Sequence, residues 1–75
     1  MAKKQSGEGV YRVIDVVGSS KISWEDAAKH AVETAAKSIR DLRIAEVAKM
    51  DVRVEKGKVV AYRTRLQVSF KYEGG

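Results

Sequence analysis

The spacing of apolar positions changes twice along the chain, and each change marks an element. From Val10 to Val17, VYRVIDVV, β-branched residues dominate and the run stops at Gly18, which predicts a strand. From Ser23 to Leu42, apolar residues recur at steps of three and four. Ala28, Val32, Ala35, Ile39 and Leu42 then share one face, and Trp24 opens the same stripe one turn earlier. This predicts a helix over 23–42. Ser23 is its expected N-cap, Asp26 three residues on makes a capping-box-like start, and Ile22 is placed as a hydrophobic staple. Glu25 and Asp26 suit the positive first turn, Lys37 and Arg40 the negative end. The inner face is mostly alanine, so the helix must lie close against a flat surface. Trp24 either closes one end of that core or offers a ring on which a ligand could stack.

Beyond the helix the period falls to two. Residues 44–55 predict a second strand, Lys56-Gly57-Lys58 a turn, and residues 59–72 a third strand. In the third, Val60, Tyr62, Leu66, Val68, Phe70 and Tyr72 alternate with Arg63, Arg65, Gln67, Ser69 and Lys71. In the second, Ile44, Ala48, Met50, Val52 and Val54 fall on the even, apolar face. A three-residue turn pairing Glu55 with Val59 matches the two apolar faces. It sets Val54 by Val60, Val52 by Tyr62 and Ala48 by Leu66, with Asp51 opposite Arg63 on the other face. Gly57 or Lys58 then takes a left-handed conformation.

The expected fold is α+β: a single β-α-β-β domain whose three-stranded antiparallel sheet wraps one helix. A right-handed crossover makes the first two strands parallel, so the third lies between them, in order 1-3-2. The domain is expected over 9–73, with residues 1–8 a flexible tail. Val13, Val17, Ala45 and Val47 are placed on the far face among charges. One helix cannot cover both faces, so this pattern calls for a partner subunit.

Size sharpens that expectation. A chain of 75 residues buries a small core and usually needs a staple. With no cysteine and one histidine, neither a disulfide nor an ordinary zinc site is available, and self-association remains. No apolar run approaches the ~20 residues of a membrane span, and MAKKQSGEG lacks the apolar core of a signal peptide. A cytoplasmic protein without membrane contact is expected. The net charge is +5 and the pI about 9.7. Fifteen basic and ten acidic residues are interspersed, however, without a block of five like charges. A solvated surface with basic patches fits better than a nucleic-acid binder.

No nucleophile–base–acid set is present, so an enzyme is not expected. His30 falls in helical pairing distance of Asp26 and Glu33, an ordinary surface arrangement. Asp15, Glu25, Asp26, Glu46 and Asp51 are dispersed and would meet at a metal only across subunits; no metal ligands are assigned. Arg63, Arg65 and Lys71, with Tyr11 nearby, form the best basic patch. It would hold a phosphate-bearing small molecule or be spent on ion pairs, Asp51 included.

The run VYRVIDVVGSS, then SWEDAAKHAV, then RIAEV, then YRTRLQVSFKYE, resembles the dodecin family over residues 9–73 with the spacing between blocks kept. The resemblance implies the β-α-β-β fold just derived, a hollow homododecamer, and binding and storage of flavin (riboflavin or FMN) between subunits. It also identifies Ile44, Asp51, Arg63 and Lys71 as cofactor-binding positions. Flavin-binding dodecins carry a stacking tryptophan where this chain has Ile44, and a glutamine where it has Arg63. Asp51 stands where some bacterial members have a basic residue. The pattern is similar to a branch lacking the tryptophan, for which calcium is the proposed ligand. The resemblance therefore implies a storage shell for flavin or another phosphate-bearing cofactor, with a calcium- or other ion-binding or structural shell as the alternative.

Overall fold

The computed structural model describes residues 9–71. It has β1 (Tyr11–Ser20), α1 (Trp24–Ala36), β2 (Leu42–Glu55) and β3 (Lys58–Lys71). The strands form one sheet in the order β1-β3-β2, with β3 antiparallel to both neighbours. This is the expected α+β architecture and strand order. The expected 1–8 tail, Tyr72 and the residues after it lie outside the described residues.

The helix starts as expected and stops sooner. Ser23 is extended, and its hydroxyl accepts from the Asp26 N–H at 3.0 Å. The capping box is only half made, because the Asp26 carboxylate turns to Ser20, whose Oγ–H donates to it at 2.7 Å. Ile22 is exposed and does not act as a staple. At the other end, Ser38 and Ile39 N–H groups both donate to the Ala35 carbonyl, and the chain reverses through Asp41 at φ 58°. Ile39 and Leu42 therefore continue the helical spacing without being helical. Leu42 reaches the core from β2 instead.

The buried stripe is also rotated from the expected one. Ala27, Ala31 and Ala35 face the sheet, while Ala28 and Val32 flank them half-buried. Alanine at successive turns lets the helix axis sit unusually near the sheet, and Gly18 completes the fit. A Cβ added there would lie 2.1 Å from the Ala27 carbonyl oxygen and 2.9 Å from the Ala31 Cβ. Gly18 does not end β1, as the sequence suggested. It is the place inside β1 where the helix backbone touches down, and the strand runs on to Ser20. Leu66 and Val68 fill the space beside it, with Val16 at the rim.

The hairpin turn has two residues rather than three. Lys56 and Gly57 take φ values of 52° and 76°, the pair of left-handed conformations that a tight primed turn requires, and Glu55 pairs with Lys58. A bulge between Arg53 and Val54 then absorbs Val60, and the expected pairs Val52–Tyr62 and Asp51–Arg63 follow. A second shift, between Val47 and Lys49, moves Val47 opposite Leu66 and Ala45 opposite Val68. Both therefore belong to the helix side, not to the far face where the strict alternation had placed them. A third, between Leu42 and Ile44, leaves Ile44 opposite Ser69 on the far face.

Candidate functional site

Two faces of the sheet offer chemistry, and their geometry follows from length. β2 and β3 have 14 residues each. At roughly 3.3 Å per residue that is about 46 Å of strand. α1 has 13 residues, or about 20 Å at 1.5 Å per residue. The helix lies over β1 and β3 and scarcely reaches β2. Ile44, Val47 and Met50 are 62%, 47% and 58% exposed.

The helix N-terminus is bolted to the middle of the hairpin. Trp24 Nε1–H donates to the Asp51 carbonyl at 2.9 Å, and the buried Thr64 hydroxyl donates to the Trp24 carbonyl at 2.9 Å. The indole meets Tyr62 edge-on, with centroids 5.1 Å apart. Trp24 thus closes one end of the core, and its polar edge is already used. On the helix surface His30 Nε2 stands 3.2 Å from Asp26 Oδ2, the expected surface pairing.

The far face carries all four positions named from the family pattern, in two separate places. Asp51 and Arg63 are cross-strand partners joined by a two-pronged ion pair: Arg63 Nε–H donates to Oδ1 at 2.7 Å and Nη2–H to Oδ2 at 2.8 Å. The hydrogen bond from Arg63 holds the Asp51 carboxyl below its ordinary range; desolvation opposes it, and the charges of Arg63 and Arg65 add to the lowering. Asp51 in turn raises Arg63. Ile44 and Lys71 sit near the opposite end, next to Ser69 and Tyr11 respectively. Ser69 is six steps along β3 from Arg63, roughly 20 Å. Within one subunit, therefore, the four positions do not converge. The expected patch of Arg63, Arg65 and Lys71 divides in the same way. Arg65 stays with Arg63, whereas Lys71 lines a cleft of about 680 Å³ with Arg12, Arg40, Asp41 and Phe70. That cleft was not legible in the sequence, where Arg40 was assigned to the helix.

Neither implied ligand is accommodated by one subunit alone. Ile44 presents aliphatic surface and no ring face for stacking, and two Arg63 donors are committed to Asp51. Calcium takes six to eight oxygen ligands, and no group of three or more acidic or histidine side chains gathers among the described residues. The described residues also contain no helix long and apolar enough to cross a membrane.

The dodecin family profile matches residues 10–73. A calcium dodecin of Mycobacterium tuberculosis is 47% identical over 62 residues, covering 83% of this chain and 87% of the relative. The crystal structure of the calcium dodecin from that organism, described as having a novel calcium-binding site, superposes with a TM-score of 0.76 at 46% identity, covering 88% of this chain and 94% of its own. The dodecin of Streptomyces coelicolor gives 0.84 at 30% identity, with 93% and 100% covered.

Proposed function

The chain belongs to the dodecin family, and on that premise we propose that it is a self-assembling ligand-binding protein: a homododecameric shell that holds a small ligand or ion between its subunits. The observation that carries this reading is the uncovered part of the sheet. The large fully buried side chains are Leu66, Val68 and Thr64, a very small core, while Val13, Val17, Ile44, Val47 and Met50 stand open on its two faces. Exposed apolar area of that extent on a small domain is what a subunit interface would cover.

The family positions Ile44, Asp51, Arg63 and Lys71 would then form ligand sites only where subunits meet, because one subunit keeps the two pairs apart. Riboflavin would be held weakly, since Ile44 gives contact area without a stacking face. A second reading, calcium as the ion, is favoured by the 47% identity to a calcium dodecin. Its ligands would come from several subunits, since no single subunit gathers them among its described residues.

Native mass spectrometry of the purified protein, alone and after addition of calcium or riboflavin, tests both parts. A single assembly of twelve subunits retaining a fixed number of calcium ions is expected. A stable monomer would refute the shell. Stoichiometric riboflavin with no retained calcium would reverse the order of the two ligands.

A further inference from the structure

The far-face ion pair belongs to a closed circuit of contacts that passes through the sheet to α1. The buried Thr64 hydroxyl donates to the Trp24 carbonyl, the Trp24 indole N–H donates to the Asp51 carbonyl, and the Asp51 carboxylate accepts two N–H groups of Arg63. Arg63 precedes Thr64 in the chain, which closes the circuit. The indole meets Tyr62 on the helix side, whereas the Asp51 and Arg63 side chains stand on the far side. Burial does not force the middle contact. Trp24 is 36% exposed, so water would serve its N–H as well. What the contact does is fix Asp51. β2 is an edge strand with a ladder on one side only, and its register shifts on either side of Asp51, between Val47 and Lys49 and between Arg53 and Val54. Such irregularities bend a strand and raise its local twist. A two-pronged ion pair tolerates little of either, because both N–H···O bonds must stay near one plane.

We propose that Trp24 is a positioning residue for the far-face ligand site: its indole N–H holds the Asp51 backbone at the angle that keeps the Asp51 carboxylate and the Arg63 guanidinium in one plane. This rests on the reading of Asp51 and Arg63 as ligand positions of a shell. Trp24 lies on the other side of the sheet and acts on that site through Asp51. Its own place is set by Thr64, whose enclosed hydroxyl fixes the first turn of α1 against the rung next to Asp51–Arg63. The circuit runs in reverse as well, because a coupling between two places is reciprocal. Whatever displaces Arg63 turns Asp51 and changes the surroundings of the indole.

Trp24 is the one tryptophan of the chain, so the emission of the full-length protein reports this contact directly. Arg63→Gln should shift that emission to the red. Arg65→Gln, which removes a charge from the same face but lies outside the circuit, should not. An unmoved spectrum in Arg63→Gln would overturn the proposal. So would an equal shift in Arg65→Gln, because charge would then be acting through space. Trp24→Phe keeps a ring against Tyr62 and deletes the donor. In that background the drop in melting temperature caused by Asp51→Asn at neutral pH should fall to less than half its parental size. Equal drops in both backgrounds would make the two sites independent and reduce Trp24 to a packing residue. Native mass spectra supply the last readout. Whichever of calcium or riboflavin the parent retains should be held several-fold less tightly by Trp24→Phe, and equal retention would also overturn the proposal. A parent that retains neither refutes the ligand reading alone, and emission and melting temperature still decide whether Trp24 sets the pair.

Discussion

The corner of the sheet beneath α1 and the long arm of β2 are built from similar residues and do opposite things. Beneath the helix, Gly18, Ala27, Ala31 and Ala35 are small so that backbones can meet, and Leu66 and Val68 are almost completely enclosed. On β2, Val47 and Met50 face the same side and remain about half exposed. The difference is one of reach: the helix covers less than half of the strand length available. Apolar residues under the helix hold the subunit together. Those beyond it are left over for contacts between subunits, which is the role a shell would give them.

Substitutions that respect this boundary should divide into two classes. The largest effect on the folded subunit should come from Gly18→Ala. The new Cβ would collide with the Ala27 carbonyl, and backbone cannot step aside as a side chain can. The cost should be about 3 kcal/mol or more, at the upper end of overpacking. Circular dichroism melts would show it, and a near-parental melt would mean the helix can lift from β1. Val47→Asp should instead leave a folded subunit and dissolve the assembly, since a buried unpaired charge costs roughly 3–5 kcal/mol. Sedimentation should then show a folded small species, and an intact assembly would place Val47 outside any interface. Ala35→Leu lies on the covered side and should cost the subunit about 1–3 kcal/mol. An unchanged melting temperature would show that the third alanine does not lie against the sheet.

The same boundary explains what the sequence reveals. Element order, Ser23 as the cap, strand order and the Asp51–Arg63 pair were all legible, because each follows from local spacing or from matching apolar faces. What escaped depends on tertiary contacts that leave periodicity unbroken. Ile39 and Leu42 fit a helical stripe although the chain has turned at Asp41. Gly18 reads as a stop because its reason, the Ala27 carbonyl, is nine residues away. Bulges are harder still. One extra residue at Ala48 exchanges faces for Val47 and Ala45 relative to strict alternation, and nothing in the local composition marks it. Of the family positions, Ile44 shows the same difficulty, since the shift between Leu42 and Ile44 puts it on the far face opposite Ser69.

A gain of function on the exposed side should be no larger than the smallest of the losses above. Ile44→Trp adds a ring where the far face has none, and stacking contributes about 1–3 kcal/mol per ring. Riboflavin fluorescence should be quenched more strongly by this variant than by the parent, with no loss of thermal stability, because Ile44 is not part of the core. Strong quenching by the parent protein would point to another aromatic as the platform.

The smallest effect belongs to the Asp51–Arg63 pair, which is exposed and therefore screened. The direction of its pH dependence is nevertheless fixed. Asp51 has its folded pKa lowered, first by the hydrogen bond from Arg63, so folding favours the carboxylate. The stabilisation is fully present above the ordinary aspartate value and is lost as pH falls through the lowered folded one. Arg63 is shifted upward from an already high value and contributes no pH dependence in this window. The parent should therefore melt slightly above Asp51→Asn at neutral pH in phosphate-free, low-salt buffer, and the gap should close in the acid range below the normal carboxylate pKa. Added salt should narrow the gap at neutral pH as well. A gap that stays constant through the acid range would mean that the asparagine acts by shape or through the Trp24 contact to the Asp51 carbonyl. The ion pair would then be an orienting feature of the far face with no share in the stability of the fold.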